Sequence, residues 1–373
     1  MALPLNRLHS DVRFFLALSV TLTLLGLIFI YSSSSIFALE KYGSAHFFLK
    51  KQLLMVIPSI VGFLAFALTP LPLLRRSAPW LFLGSLALTM LTFVPALGLK
   101  VHGSNRWLCL AGFSFQPSEL LKLFLFMYMG YFLEKKQNRI KSLVYTYIPF
   151  LIVLSITFGV LLKQPDFGSV ITIFATSLML FFVAECRMLY LVITALCALP
   201  AIVYLIFAKS YRLNRILIFL NPWADPQGRG FQIIQSLIAI GSGHLWGVGI
   251  SNSKQKFFYL PMQHTDFIFP IIAEEVGFVG SVALVGLYAL FCFLGLRIAL
   301  CFSSPFTFFT SLGFVLFISL QAVINFMVTC GLLPTKGLGL PFISYGGTAL
   351  ICLWCMIGFI VNAAREARSE SKS

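Results

Sequence analysis

The sequence is poor in charge, and this scarcity limits the classes of protein to which it can belong. Only 10% of its 373 residues are charged, against 59% that are hydrophobic, whereas soluble domains carry about a quarter charged residues. A chain with so few polar groups cannot cover its own surface in water, so the lipid bilayer is its expected solvent. No long polar stretch divides the chain, which predicts a single polytopic membrane domain over residues 1–373.

Acidic residues are especially scarce, with 12 Asp and Glu against 27 Lys and Arg and a net charge of +15. In a soluble protein this imbalance would indicate nucleic-acid binding. Here the basic residues lie in loops and at the ends of apolar segments, where they orient the chain and meet anionic head groups. No basic and aromatic cluster lies on a polar scaffold, so we expect contact with membrane lipids and no nucleic-acid partner.

The eight cysteines and five histidines lack the regular spacing of a disulfide framework or a Cys/His metal site. The first apolar run has no small-residue cleavage site, which favours a first spanning helix over a removed signal peptide. A spanning helix needs about 20 mainly apolar residues. Ten segments approach that length: 14–34, 52–70, 78–97, 119–134, 143–162, 169–185, 188–208, 267–297, 305–330 and 348–364.

These segments predict an all-α integral membrane protein with about ten transmembrane helices and a long loop, about 209–266, between helices 7 and 8. Within this loop, residues 231–240 have polar side chains on one side, which predicts an amphipathic helix at the membrane interface. Basic residues are dense in the short segments 73–78 and 134–142 and in the tail with Arg365, Arg368 and Lys372. The positive-inside rule therefore predicts that both termini are cytoplasmic and the long loops extracytoplasmic.

Ionisable and polar side chains in four of the outer loops are the candidates for function, because such groups are costly near a membrane. Cations can hold a pyrophosphate, and a carboxylate beside them can take a proton from an attacking hydroxyl. The candidates are Arg106, Glu119, Lys122, Asp166, Arg212, Arg215, His264, Asp266, Glu274, Glu275, Lys336 and Ser344.

Several candidates also have a structural interpretation. Asp266 precedes an apolar run and would serve as a helix N-cap. Asp166 lies in a Pro-Asp-Phe-Gly turn, and turn formation alone would explain an aspartate there. Glu119 and Lys122, three residues apart, are expected to form an ion pair within the protein. The pair 274–275 fits either a water-lined cavity or side chains paired within the protein.

At these residues the chain resembles the SEDS family (shape, elongation, division and sporulation) of membrane glycosyltransferases, and within it the FtsW branch more than the RodA branch. Six segments carry the resemblance in the family's order: GSNRWLCLAGFSFQPSELLK (103–122), QPDFGS (164–169), NPWADPQGRGFQIIQS (221–236), GVGISNSKQK (247–256), HTDFIFPIIAEEVGFVG (264–280) and LLPTKGLGLPFISYGGT (332–348). The resemblance extends over the whole chain in helix number and spacing.

The resemblance implies a bacterial cytoplasmic-membrane enzyme that joins lipid II molecules by β-1,4 links outside the cell, during septal division or cell-shape maintenance. It makes Asp266 the essential carboxylate and Lys336 the lysine that faces the substrate. It also implies a divalent cation, Mg²⁺ or Mn²⁺, as cofactor. The implied partners are a class B penicillin-binding protein, which is a transpeptidase, and other cell-division proteins.

The sequence departs from the family pattern beside the proposed catalytic residue. Met262 and Gln263 stand where the family has a glutamate, and Pro270 replaces a small residue and is expected to bend the helix that follows. Two other functions stay open from the residues alone: a flippase that moves lipid II, and a scaffold that recruits the transpeptidase. A transporter is expected to show related repeats and a polar path at the membrane midplane, and the sequence has no clear repeat.

Overall fold

The structure, a computed structural model, describes residues 5–95, 98–101, 104–110, 113–207, 210–228, 230–256 and 263–370. These ranges contain twelve α-helices: α1 Leu5–Tyr42, α2 Phe47–Leu68, α3 Leu71–Leu91, α4 Pro117–Lys136, α5 Ile148–Lys163, α6 Phe167–Val183, α7 Met188–Phe207, α8 Ser210–Leu220, α9 Phe231–Ser242, α10 Ile268–Ala299, α11 Pro305–Thr329 and α12 Gly347–Glu370. A π-helical turn, Leu143–Tyr147, precedes α5. Met262 and Lys372, which entered the sequence predictions, lie outside the described residues.

The protein is a multi-pass membrane protein of the all-α class, as predicted. Within the described ranges, seven helical stretches are long and apolar enough to cross a bilayer: those of α1, α2, α5 with its preceding turn, α7, α10, α11 and α12. The other three predicted segments coincide with α3, α4 and α6. The α4 helix carries charged residues and α6 has only 17 residues. Ten crossings therefore stay a prediction.

Two of the predicted loops are largely helical. Arg75 and Arg76, placed in a short connector by the sequence prediction, lie on α3, which begins directly after Pro70. Proline is well suited to helix starts because it has no N–H to leave unpaired. Arg75 pairs with Glu134 of α4 at 2.6 Å, which offsets the charge that had suggested a loop. Likewise α1 continues to Tyr42 and takes up part of the predicted loop 35–51.

The segment between α3 and α4 contains a small antiparallel sheet that the sequence analysis did not predict. Its strands are β1 Gly98–Val101, β2 Ser104–Leu110 and β3 Phe113–Phe115, in the order β1-β2-β3. They pair Gly98 with Leu108 and Leu108 with Phe115. Strands this short give no clear alternation of apolar and polar residues. Their importance is positional, because β2 carries Arg106.

The predicted amphipathic helix exists as α9, but its polar and apolar sides do not divide as expected. Ser236 is fully buried and its Oγ donates to the Thr329 carbonyl at 2.6 Å. Leu237 and Ile238 are exposed. Serine faces the protein interior here because a carbonyl at the end of α11 accepts its hydrogen bond, which satisfies the buried hydroxyl.

Helix α10 is broken at a position that the sequence analysis did not predict. Pro270 lies in its first turn, where no intrahelical hydrogen bond is lost. The break lies at Gly277, whose φ of 70° and ψ of −168° are not helical. Only glycine adopts this conformation without steric cost, so the break is encoded by Gly277, and the bend expected from Pro270 at the start of α10 stays a prediction.

The packed centre of the molecule lies among α4, α11 and α12. Phe126, Phe314 and Phe359, one from each helix, are fully buried. Gly130 of α4 lies so close to Phe306 and Thr310 of α11 that a side chain would collide with them, which is typical of membrane helices that approach through small residues. The α7 helix lies at the periphery with most of its side chains exposed.

Candidate active site

A cavity of about 910 Å³ opens at one end of the helix bundle. Its lining comes from the N-terminal parts of α4, α6 and α12, from the second and third turns of α2, from strand β2, from Gln321 of α11, from the turn before α10 and from residues 337–347. The N-terminus of a helix carries a partial positive charge and unpaired N–H groups. Several helix starts therefore converge on one cavity and favour an anionic occupant.

The structure brings most of the predicted site residues to this cavity. Eight of the twelve line it: Arg106, Glu119, Lys122, Asp166, Arg215, His264, Asp266 and Ser344. Four do not belong to its lining: Arg212, Glu274, Glu275 and Lys336. The candidates were collected from loops far apart in the sequence, and the folding of the bundle gathers these loops at one end.

Asp266 lies in the turn that precedes α10, and its backbone is held by neighbouring elements. Its carbonyl accepts a hydrogen bond from Asn325 Nδ2 at 2.9 Å, and the same amide group donates to the Leu338 carbonyl at 2.7 Å. The position that caps α10 is occupied by Phe267, and the helix has no side-chain cap. The helix-cap interpretation of Asp266 is therefore wrong, and its carboxylate is left to face the cavity.

The surroundings of Asp266 change its acidity. Burial raises the pKa of its carboxyl group to about 6, while the charges of Arg106 and Arg215 act to lower it and that of Asp166 to raise it. A carboxylate with a pKa near the working pH is a better proton acceptor than one with the ordinary value. Two carboxylates and two cations thus lie close enough to affect one another.

Strand β2 and the turn before α6 fix the side chain of Arg106. Its Nε donates to the Gln164 carbonyl at 2.9 Å and its Nη2 to the Pro165 carbonyl at 2.6 Å. A Cβ added at Gly337 would lie 3.3 Å from Asp266 Oδ2 and 4.0 Å from Arg106 Nη1. Glycine at this position therefore keeps open the space beside the carboxylate and the guanidinium.

Asp166 has the structural role that its turn predicted and also faces the cavity. Its carboxylate accepts hydrogen bonds from Ser169 N at 3.2 Å and Ser169 Oγ at 2.8 Å, which caps α6. Both of its oxygens are therefore engaged, whereas the carboxylate of Asp266 has no such cap to make. The same residue type has two different environments within one cavity.

Lys336 and Arg212 lie at the margin of the cavity. The Lys336 Nζ is 6.0 Å from the centre of the Phe167 ring, and the Arg212 guanidinium is 5.5 Å from it. Burial lowers the pKa of Lys336 to about 8. Arg215 joins this group because its Nη1 donates to the Thr335 carbonyl at 3.3 Å. The basic side chains of 212, 215 and 336 thus gather around the start of α6.

Glu119 and Lys122 form the predicted ion pair at 2.6 Å. Lys122 is almost completely buried, and its ammonium lies 5.5 Å from the centre of the Phe317 ring. Both residues nevertheless line the cavity. A buried charge needs a partner, so the pair compensates the buried charge of Lys122 even where it also borders the substrate space.

His264 and Ser344 shape the turn that carries Asp266. The His264 ring packs 4.4 Å from the Phe48 ring, and burial lowers the pKa of its imidazole to about 4, so it is neutral near pH 7. Ser344 Oγ donates to the Thr265 carbonyl at 2.6 Å and accepts from Leu340 N at 2.7 Å. These contacts tie the turn to the loop between α11 and α12.

Glu274 and Glu275 are placed outside the cavity lining, in a buried polar cluster. Glu274 accepts a hydrogen bond from Ser253 Oγ, and Glu275 accepts one from Ser32 Oγ at 2.5 Å. The structure supports pairing within the protein rather than a water-lined cavity for these two residues.

Sequence analysis missed several polar residues at or beside the site, among them Lys51 and Asn325. Lys51 lines the cavity from the second turn of α2, with its Nζ 4.4 Å from the centre of the Phe47 ring. It had been placed at the end of a loop without a role. Asn325, which holds the Asp266 turn, lies within an apolar helix. An amide in such a segment is the signal that would have indicated it.

The cavity residues could hold a divalent cation only if a substrate supplied some of the ligands. Within the described residues, no three His, Cys, Asp or Glu side chains are grouped to hold a metal ion. Mg²⁺ often takes one or two carboxylates together with substrate phosphates. Asp266 is the cavity carboxylate that could join such a set, since Asp166 is engaged by Ser169 and Glu119 by Lys122.

Comparison with known families decides where the protein belongs. The model of the FtsW/RodA/SpoVE family, described as "Cell cycle protein", matches residues 12–369. The chain belongs to this family. Within the family, it is 41% identical over 367 residues to the probable peptidoglycan glycosyltransferase FtsW of Geobacter sp. (strain M18), covering 98% of this chain and 100% of that protein.

Two further comparisons support this assignment. The stage V sporulation protein E of Bacillus subtilis (strain 168) is 37% identical over 351 residues, which cover 94% of this chain and 96% of that protein. A chain from the structure of a peptidoglycan synthase complex that coordinates polymerization and crosslinking superimposes with a TM-score of 0.76. It is 30% identical and covers 94% of this chain and 97% of its own length.

Proposed function

We propose that this protein is a peptidoglycan glycosyltransferase that polymerises lipid II into β-1,4-linked glycan strands, with Asp266 as the catalytic base. The observation that carries the proposal is the position of the Asp266 carboxylate, with a pKa of about 6, beside Arg106 and Arg215 in a cavity at the end of a membrane bundle. The names of its relatives support the same activity.

The proposed reaction is a single displacement at the anomeric carbon of the donor sugar. The 4-hydroxyl of the acceptor GlcNAc attacks C1 of the donor MurNAc, and Asp266 takes the hydroxyl proton as the new C–O bond forms. The bond from C1 to the pyrophosphate oxygen breaks, and undecaprenyl pyrophosphate leaves with the electron pair. Configuration inverts because attack and departure occur on opposite faces of the sugar, as in other inverting glycosyl transfers.

Cations in the cavity and beside it favour the departing pyrophosphate. Arg106 is locked by its bonds to two carbonyls, so its remaining N–H groups are preorganised for an anion. Arg215 and Lys336 add positive charge near the start of α6. The N-terminus of this helix carries a partial positive charge of its own. Glu119, Lys122 and Asp166 complete the polar wall of the proposed substrate space.

A divalent cation bound by Asp266 and the substrate pyrophosphate would add positive charge at the leaving group. We place Mg²⁺ or Mn²⁺ there as a proposal based on the family resemblance. The groups that this chain supplies to the leaving group are those of Arg106, Arg215 and Lys336.

The setting proposed for this reaction is the outer face of the bacterial cytoplasmic membrane, with both termini inside. The basic segments at the opposite end of the bundle support this orientation, because cytoplasmic segments are enriched in Lys and Arg. A class B penicillin-binding transpeptidase is the proposed partner. The related chain in a synthase complex that polymerises and crosslinks supports such a pairing, and the FtsW relatives support a role in division.

The experiment that tests the function measures two activities on one preparation. The purified protein is placed in liposomes with fluorescent lipid II, with and without the transpeptidase, and glycan strands are separated by gel electrophoresis. We expect polymer that disappears on muramidase digestion. Transfer of labelled lipid II between leaflets without polymer would instead favour the flippase alternative, and neither activity with retained transpeptidase binding would favour the scaffold.

A further inference from the structure

The break in α10 is bridged by another segment of the chain. In an unbroken helix, Phe278 N and Val279 N would donate to the carbonyls of residues 274 and 275. Instead they donate to the carbonyls of His244 and Leu245, at 2.8 and 3.2 Å.

The two carbonyls released by the break are satisfied by the same segment. The Glu274 carbonyl accepts from Val248 N and the Glu275 carbonyl from Gly249 N, both at 3.0 Å. Two helical bonds are thus replaced by four bonds to residues 244–249, which pair all four of these backbone groups. A side chain on Gly247 or Gly277 would collide with the opposing backbone, so this close approach requires both glycines.

The side chain of Glu274 adds a second contact at the break. Glu274 is only 2% exposed, and its side chain accepts from Ser253 Oγ, from Lys254 N at 3.0 Å and from Gln255 N at 3.4 Å. Hydrogen bonds to an ionised acceptor are roughly twice as strong as neutral ones. Three consecutive residues are therefore held by one buried side chain, and we call this contact the Glu274 clip.

The clip acts on the part of the chain that carries Asp266. In the sequence, Asp266 lies between the two sides of the clip, which are residues 253–255 and Glu274. The N-terminal piece of α10, residues 268–276, begins directly after the Asp266 turn and is separated from the rest of α10 by the Gly277 break. The rest of α10 cannot fix the direction of this piece, because the helix is interrupted at Gly277. Its direction therefore depends on the contacts that hold it at the break.

Glu274 itself does not touch the cavity. It follows Asp266 by eight residues, which is about 12 Å along a helix, and it is absent from the cavity lining. Neighbouring Glu275 contacts α1 through Ser32 instead, and the nearby cation Lys256 donates to the Ser251 carbonyl. The two adjacent glutamates thus have different partners.

We propose that Glu274 is a positioning residue, which holds residues 253–255 against the break in α10 and thereby fixes the Asp266 carboxylate in the cavity. This inference rests on the proposed function, in which Asp266 is the base. It predicts that loosening the clip damages the chemical step while the cationic groups that bind the substrate are left in place.

The test compares Glu274→Gln with Glu275→Gln in lipid II polymerisation by the full-length protein in liposomes. Glu274→Gln is expected to lower kcat by about 10-fold to 100-fold with little change in KM, since a misplacement of about 1 Å can cost that much. The acid limb of its kcat/KM profile is expected to move, because burial and the charges of Arg106, Asp166 and Arg215 together set the pKa of Asp266 and all depend on its position. Glu275→Gln is expected to keep the limb of the unaltered protein.

A second variant covers the case in which Glu274→Gln does not fold. Ser253→Ala removes one donor to the clip and is expected to move the acid limb in the same direction. In the double variant the shifts should not add, because both changes act on one contact. An unchanged limb and kcat in the folded clip variants, or an equal shift in Glu275→Gln, would overturn the inference.

Asp266→Asn separates this inference from the proposed function. If Asp266→Asn is inactive and the clip variants are normal, only the positioning role fails. If Asp266→Asn polymerises normally, the proposed function of Asp266 fails and the positioning role fails with it.

Discussion

At the scale of single residues, the cavity shows how environment assigns different roles to the same side chain. Asp166 has both oxygens engaged by Ser169 and serves as a helix cap. Asp266 makes no cap, and burial raises its pKa to about 6. The two aspartates therefore divide structural and chemical roles between them.

The pKa shifts predict a bell-shaped pH dependence of kcat/KM. Asp266 must be ionised to accept a proton, so activity is expected to fall as pH decreases through about 6, the raised pKa of this carboxyl group. Lys336 must be charged to attract the pyrophosphate, so activity is expected to fall as pH increases through about 8, its lowered pKa. Initial rates of lipid II polymerisation between pH 5 and 9 test this, and a flat profile below pH 7 would contradict the role of Asp266.

The sequence could predict which residues belong to this site, but not how they are arranged. Asp266, Arg106 and Arg215 were identified as loop residues that a membrane protein would not carry without reason. Asp266 does not cap α10 because the cap position is Phe267, one residue later. Sequence patterns do not locate a helix start to within one residue. Lys51 escaped notice because a lysine at the start of an apolar segment is the ordinary way to anchor a helix at the interface.

At the scale of secondary structure, the helices were predictable and the exceptions have physical causes. Long apolar segments admit few other structures in a bilayer, because each backbone group must find an internal partner. The sheet of β1 to β3 was missed because its strands are short, and the break in α10 was missed because Gly277 gives no signal in an apolar run. The break depends on backbone groups of residues 244–249, which are distant in sequence.

The start of α2 offers a matched pair of lysines for a test of the cavity wall. Both Lys50 and Lys51 are exposed, but only Lys51 lines the cavity. A contact between exposed charges is worth at most about 1 kcal/mol, which corresponds to about a five-fold change in affinity. We expect Lys51→Gln to raise the KM for lipid II by up to about that factor and Lys50→Gln to leave it unchanged, in steady-state polymerisation assays. Equal effects of both variants would indicate a general charge effect.

At the scale of the whole molecule, the chain places its polar groups at one end of an apolar bundle. The cavity lies where the N-terminal parts of α2, α4, α6 and α12 meet, and the basic loop after α4 lies at the opposite end of that helix. This asymmetry allows a lipid-linked substrate to present its head group to the cavity while its chain stays in the bilayer. The single membrane domain predicted from composition stays a prediction.

Orientation is the prediction that belongs to this scale. A cytoplasmic reporter fused after Ser373 is expected to be active, because the basic tail favours the inside. A reporter that works only outside the membrane is expected to be active when inserted at Gln227, in the exposed turn between α8 and α9. The reverse pattern in cells would place the cavity on the cytoplasmic side and contradict the proposed use of lipid II outside the membrane.

The most direct test of the central claim is the rate of lipid II polymerisation by purified Asp266→Asn. Asparagine keeps the size of the side chain but cannot take the proton, and such a base contributes about 10²-fold to 10⁴-fold in rate. The matched control is Asp225→Asn, which alters an exposed carboxylate outside the cavity lining. The account predicts that Asp266→Asn folds and binds lipid II but loses polymerisation by at least about 10²-fold, while Asp225→Asn keeps its rate. Near-normal polymerisation by folded Asp266→Asn would contradict it.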